Sequence, residues 1–251
     1  MLILDAHVHL YPRYAPDAIR RRIANVLEAP ANPDRGASRT LVLLLAERSG
    51  ETLFEQILES GGPGWRFDAV SRPVNGNRAV LLRGGWLGDH TVVLAAGRQI
   101  RTSSGLELQG IGLREDKVSD GLDAFRTAGA IRDGGAQAAL VWGVGKWMGR
   151  RAETVRALKL DGRVDRVIDT AMRPRGWPAH RFLRGAPDGA GAWRGSDPLD
   201  RRGEERRIGQ YGLRSDGSWD PDVPLETALA SLDDEAGRPW GRRRSWFEVA
   251  A

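Results

Sequence analysis

The chain has 251 residues, enough for one large domain with a sizeable core, and its 41% hydrophobic and 28% charged content excludes disorder throughout. It has no cysteine. That excludes disulfides, zinc ribbons, iron–sulfur clusters and cysteine nucleophiles, and leaves His, Asp, Glu, Asn and Gln to hold any metal. The net charge of +5 is carried almost wholly by arginine, because Lys117, Lys146 and Lys159 are the only lysines, and acidic residues are interleaved along most of the chain.

Leu2 to Leu10 is apolar and rich in branched residues, so it reads as a buried strand, ended by Pro12 and Pro16. Ala18 to Glu28 carries Ile19, Ile23, Val26 and Leu27 on one side and reads as a helix. Residues 30–39 form a Pro, Asn, Asp and Gly loop, Thr40 to Ala46 a second buried strand, and Glu51 to Ser60 a short amphipathic helix. Gly61 to Gly76 reads as a loop around Trp65. Strands follow at Arg78–Arg83, Thr91–Ala95, Gln99–Thr102 and Leu106–Ile111, the last two joined by the turn Ser103-Ser104-Gly105. Asp120–Arg132 is helical, and Ala136–Trp142 is a buried strand running into Gly143-Val144-Gly145-Lys146. Ala152–Leu160 is helical, Val164–Ile168 a strand, and Gly189–Arg194 leads into the turn Gly195-Ser196-Asp197. Beyond about residue 213 the chain is polar and rich in Pro and Asp, with one helix at Pro224–Ala236.

Apolar strands alternating with helices predict an α/β fold with a mostly parallel sheet, closed or nearly closed into a single TIM-like barrel. The barrel would occupy residues 1–212, with 213–251 a C-terminal appendage packed on or beside it. No segment approaches the ~20 apolar residues of a membrane span. The start lacks a signal peptide's basic and long apolar regions, so a cytoplasmic location is the default expectation.

The sharpest chemical feature is Asp5-Ala6-His7-Val8-His9, which holds two of the chain's four histidines. Residues two apart on a strand share a face, so Asp5, His7 and His9 would all project into the interior. Two imidazoles at a strand end suit one metal ion, with Asp5 placed to hold a ring N–H. The glycine-rich turn Trp142 to Arg151 is not a Walker A loop, since Leu140 and Trp147 stand where Gly and Ser/Thr are required. It is either an anion site assisted by Lys146 or a tight strand–helix turn. Asp169, after a strand, is a candidate general base or a cap, and Arg173 a candidate anion partner or a surface residue. His90 and His180 read as surface or satisfied histidines. Arg206 to Gly212 is either a rim loop for an anionic substrate or a plain turn.

The Asp5–His9 motif resembles the opening of two groups of metal-dependent barrels, the PHP (polymerase and histidinol phosphatase) phosphoesterases and the amidohydrolases. Later landmarks are similar to the PHP side. Glu47 falls where that family has a strand-end ligand motif, and Gly97-Arg98-Gln99 falls at its Gly-x-Glu, with Gln99 in place of Glu. Trp142 stands at its His-Pro, and Gly195-Ser196-Asp197-Pro198-Leu199 at its Gly-Ser-Asp-x-His, with Leu199 in place of the histidine. The resemblance, over roughly residues 1–212, implies a distorted, seven-stranded barrel and a divalent metal (Zn, Mn or Fe) held by His7, His9, Glu47, Gln99 and Asp197. It implies a metal-dependent hydrolase of phosphoesterase type on a small anionic substrate. Asp169 and Asp197 would be catalytic, and Arg98, Lys146 and Arg173 would hold the anion. The substitutions at three ligand positions keep open a catalytically degenerate barrel that serves as an accessory or binding protein. An amidohydrolase reading would make Lys146 a carboxylated ligand. There is no Gly-x-Ser-x-Gly nucleophile elbow and no Rossmann fingerprint after the first strand. The nine tryptophans are scattered, so no nucleic acid partner is expected, nor a membrane. Tryptophans near the C-terminus permit a homo-oligomer.

Overall fold

Branched apolar residues and short hairpin turns dictate most of the strand pairing in this chain. The computed structural model describes residues 1–29, 38–60, 70–114, 118–184, 191–234 and 237–250. The loop expected around Trp65 and most of that expected at 30–39 lie outside the described residues. In chain order the elements are β1 (Leu2–Val8), α1 (Pro16–Glu28), β2 (Thr40–Leu45), α2 (Leu53–Ser60), β3 (Val70–Val74), β4 (Ala79–Arg83) and β5 (Thr91–Ala95). There follow β6 (Gly97–Arg101), β7 (Glu107–Ile111), α3 (Ala124–Asp133), β8 (Gln137–Val141), α4 (Arg150–Leu160), β9 (Arg166–Thr170) and β10 (Trp193–Gly195). The chain closes with β11 (Tyr211–Ser215), α5 (Leu225–Asp234), β12 (Arg238–Gly241) and α6 (Trp246–Ala250).

The single TIM-like barrel does not form. The strands make two mixed sheets, one of seven strands in the order β12-β11-β1-β2-β5-β4-β3 and one of five in the order β10-β9-β8-β7-β6. Parallel neighbours need a crossover of a dozen or more residues, usually a helix, whereas a short turn forces antiparallel pairing. Residues 75–78 join β3 to β4 through a turn whose Asn75, Gly76 and Asn77 all have positive φ, conformations that Asn and Gly tolerate best. β3–β4, β4–β5 and β6–β7 are accordingly antiparallel, and so is β7–β8, although α3 lies in its connection. Among the described strands, β1–β2, β2–β5, β8–β9 and β9–β10 are parallel. The boundary expected at residue 212 falls inside β11, which pairs with β1 and carries β12 on its other edge.

The two sheets share a core. Leu2, Leu4, Ala6, Val42 and Leu44 from one meet Ala139, Val141, Ile168 and Trp193 from the other, and Leu225, Leu229 and Leu232 of α5 join them. Helices α1 and α2 cover the outer face of the larger sheet with Ile19, Ile23, Phe54 and Ile57. Helices α3 and α4 cover the smaller one with Ala128, Ile131, Val155 and Leu158. At one seam Glu47 bridges Arg98 in parallel. At the other, β10 lies directly on β1, where a Cβ on Gly195 would sit 2.4 Å from His7 Cβ and 2.6 Å from His7 N. Only glycine lets the two backbones approach so closely. Of the C-terminal tryptophans, Trp240 is buried and Trp246 is exposed. No helix among the described residues is long and apolar enough to cross a membrane.

Candidate metal centre

The pairing of β1 with β2 shifts register between Asp5 and Val8. Strict alternation therefore ends in the middle of the motif, and Asp5 does not share the histidines' role. Its buried carboxylate accepts from Ser196 N at 2.8 Å and Gly209 N at 2.8 Å, tying β1 to two later loops rather than holding an imidazole. Burial outweighs those bonds and pushes the Asp5 carboxyl up to about 6.

Beyond the shift, His7 and His9 converge with Asp197. One ligand atom from each of the three lies within 4.8 Å of the others. His7 Nε2 is 3.8 Å, and His9 Nε2 3.9 Å, from Asp197 Oδ1. Donor atoms about 2.0–2.2 Å from one cation span such distances at a wide coordination angle. The imidazoles meet edge to face, with ring centres 5.0 Å apart.

The partner of His7 selects the tautomer of its neutral ring. Gln109 Nε2 donates to Leu45 O at 3.1 Å, so its other amide atom, Oε1, faces His7 Nδ1 at 2.6 Å. An amide oxygen accepts only, so Nδ1 carries the proton and Nε2 presents a lone pair toward His9 and Asp197. His9 stacks on Tyr11, and its Nε2 lies 3.2 Å from Gln99 Oε1. Burial, with His7 and Arg48 adding to it, holds the His9 imidazole well below its ordinary pKa and therefore neutral, the form that binds metals. Asp197 stands in the left-handed region at φ 48°, with its N–H on His7 O at 3.0 Å. The buried Arg244 fixes that turn from behind, donating to Asp197 O at 2.9 Å and to Glu204 at 2.7 Å. Burial raises the Asp197 carboxyl against the pull of His7. Two imidazoles, that of His9 held neutral by burial, and one carboxylate are donors of the kinds that hold a divalent cation.

The remaining expected residues are placed differently. Glu47 lies outside the three-residue cluster. Its Oε1 accepts from Phe54 N at 2.9 Å at the start of α2, and Arg98 is 3.8 Å from its other oxygen. Burial pushes this carboxyl up to about 7. Arg98 itself is buried and donates to the carbonyls of Arg48 and Glu51, which staples that loop. Asp169 and Arg173 form a closed, bidentate pair at 2.7 and 2.6 Å, and the Tyr211 hydroxyl donates to the same carboxylate at 2.7 Å. Both are buried, so the expected general base already has its partners. The glycine-rich stretch is a tight strand–helix turn, with Lys146 N bonded to Gly143 O and the Trp147 indole to Val141 O. Lys146 makes an ion pair with Glu107, and both residues act electrostatically on Asp197.

Two contributors, Gln109 and Glu107, were not singled out in the sequence. They lie two apart on β7, on the face that also carries Ile111 into the shared core. Period-two alternation with an inward apolar residue, joined to the missing Glu at Gln99 directly across the β6–β7 pair, was the signal available.

No family model matches the chain, and no curated protein matches it. Among solved structures its fold is similar to that of the lesion-specific endonuclease PfuEndoQ from Pyrococcus furiosus. The likeness has a TM-score of 0.50 and 12% identity, over 94% of this chain and 57% of that one. The chain thus spans little more than half the length of that protein, and the likeness is one of fold. The expectation that nucleic acid has no place among the partners is withdrawn on this finding, since the shared fold serves an endonuclease. Scattered tryptophans report on core packing, as the burial of Trp142, Trp147 and Trp193 shows, and carry no information against such a partner.

Proposed function

We propose that this chain is a metal-dependent hydrolase of phosphoesters, with His7, His9 and Asp197 as the metal ligands. The observation that carries this reading is the convergence of the three donor atoms together with a tautomer of His7 fixed for coordination. A divalent cation of the Zn, Mn or Fe type suits the donor set and would polarise a phosphoryl oxygen and acidify a water. The chain's own groups set the rest. Gln109 orients the His7 imidazole. Gln99, whose Oε1 faces the same His9 Nε2 that faces Asp197, is placed as a further oxygen donor. Arg244 holds the Asp197 turn, and Lys146, paired with Glu107, lies beside the site. Phosphodiesters of nucleic acid are the first substrates to screen, because the fold likeness is to an endonuclease. The pairing of Lys146 with Glu107 favours this reading over an amidohydrolase one, in which Lys146 would be a carboxylated bridging ligand.

A second reading is favoured by one observation. Gln99, Trp142 and Leu199 replace ligand types at three positions, which suits a protein that binds a ligand or partner without turning it over. Metal content measured by inductively coupled plasma mass spectrometry on tag-free protein, followed by a panel of phosphomonoesters and oligonucleotides, separates the two. About one ion per chain, lost in a His7→Ala, Asp197→Ala variant together with hydrolysis, supports the enzyme. Wild-type metal content in that double variant would end the proposal, and metal binding without hydrolysis would leave the binding protein.

A further inference from the structure

An open cleft of about 650 Å³ lies away from the metal centre, between α1, the turn before β11, and the β11–β12 pair. Four separate stretches of chain bring Arg22, Arg206, Arg207, Arg214 and Arg242 to its walls, and none of the described residues that line it is acidic. The chain as a whole has 33 acidic residues against 38 basic ones, so five arginines gathered at one cleft depart from the interleaving of charge along the chain. Among the described residues Arg207 is balanced by Glu248 at 2.8 Å, while Arg206 and Arg242 have no carboxylate partner and are exposed. Burial pushes the Arg22 guanidinium below its ordinary value, with the Asp5 carboxylate opposing that shift and Arg207 adding to it. Gathering like charges costs energy unless an anion offsets it. Gln210 adds an amide to the wall, and Gly209 at its floor donates to Asp5, two residues before His7.

We infer that this cleft is a binding site for a multiply charged phosphate anion, either consecutive phosphates of a nucleic-acid strand or a free oligophosphate. Guanidinium forks match phosphate oxygens in pairs, and several converging from different elements recognise more than one phosphate. The inference is independent of the metal reading, because its readout is affinity and not hydrolysis.

The test uses the full chain as purified. A fluorescein-labelled single strand of about 20 nucleotides is titrated by anisotropy over a range of salt, and inorganic tripolyphosphate is titrated as competitor. Arg206→Glu combined with Arg242→Glu is expected to weaken binding about ten-fold or more, and to lower the slope of log affinity against log salt by about 1 to 1.5. The control is Arg126→Glu with Arg156→Glu, the same charge change at exposed positions of α3 and α4 on the other sheet, which should leave affinity within about two-fold. Arg206→Gln with Arg242→Gln repeats the test should the reversed pair not fold. Tripolyphosphate bound alone, with the same sensitivity to the cleft variants, identifies the free anion as the ligand; the oligonucleotide bound with that sensitivity identifies the strand. Equal weakening by cleft and control pairs, or binding of neither probe, overturns the inference.

Discussion

Gln109 turns its amide oxygen onto His7 Nδ1 at 2.6 Å because its amide nitrogen is spent on the Leu45 carbonyl. One side chain from β7 thereby sets which nitrogen of a β1 histidine faces the metal centre. Partners of this kind typically contribute 10- to 100-fold in metal affinity. Gln109→Ala should weaken metal binding by about that factor while leaving the strands paired. Competition against a chromophoric chelator measures it, and unchanged affinity would show that His7 is oriented by something else.

Glu47 makes a prediction with a definite sign. Its carboxyl lies at about 7 in the folded protein against an ordinary 4.5, because burial outweighs Phe54 N and Arg98. A folded-state value above the unfolded one means that folding favours the protonated form. The stability it lends is complete below about pH 4 and lost as pH rises through 7, about 3 kcal/mol in all. Glu47→Gln keeps the acceptor for Phe54 N and removes the charge, so it should flatten the fall in stability between about pH 4 and 8 and leave metal content unchanged. Urea midpoints across that range supply the first measurement. Loss of the metal in this variant would return Glu47 to the ligand set.

The Asp169–Arg173–Tyr211 cluster should behave as structure rather than as chemistry. Removing one partner of a buried pair leaves the other charge without compensation, at a cost of about 3–5 kcal/mol. Arg173→Met should lower the thermal midpoint steeply and spare metal content. Asp169→Asn should do the same, since it leaves the guanidinium buried without its counter-charge. If Asp169→Asn is as stable as the parent yet hydrolyses no substrate that the parent does, the carboxylate is the general base after all.

Local sequence pattern was enough for most elements, and β5 falls at Thr91–Ala95 as expected. Patterns of two and 3.6 residues are fixed by chain geometry, so β1, β2, β8, α1 and α3 could be read to within a few residues. Four strands escaped. β3 contains Arg72 and Pro73 and lies at a sheet edge, β10 spans three residues at an edge of the smaller sheet, and β11 and β12 are short and contain glycine, β12 being the opposite edge of the larger sheet. Strands this short, or interrupted by glycine and proline, carry a weak period-two signal. The barrel failed for a related reason: strand existence is local, but whether a pair is parallel depends on the length of its connection and on partners far along the chain. At the candidate metal centre, His7 and His9 stood out because histidine is scarce, four in the chain, whereas Asp197 stood out only through the likeness of Gly195-Ser196-Asp197 to the Gly-Ser-Asp-x-His motif. Gln109 did not, because a glutamine becomes informative only when its two neighbours, 102 and 64 residues away, are known.

Gly195 offers the most direct test of how the two sheets create the centre. A methyl group there would overlap the His7 backbone nitrogen and Cβ, and neither is the end of a flexible side chain that can swing aside. Relief requires β10 to move off β1, which breaks the contact that delivers Asp197 N to His7 O at 3.0 Å. Overpacking of this kind costs about 1–3 kcal/mol where the surroundings can adjust, and more where backbone opposes backbone. Gly195→Ala should therefore lower the thermal midpoint and also reduce metal content, a coupling that Arg173→Met should not show. A Gly195→Ala protein that melts lower but retains its full metal would mean that His7, His9 and Asp197 are brought together by their own strand ends, and that the close approach of β10 to β1 serves packing alone.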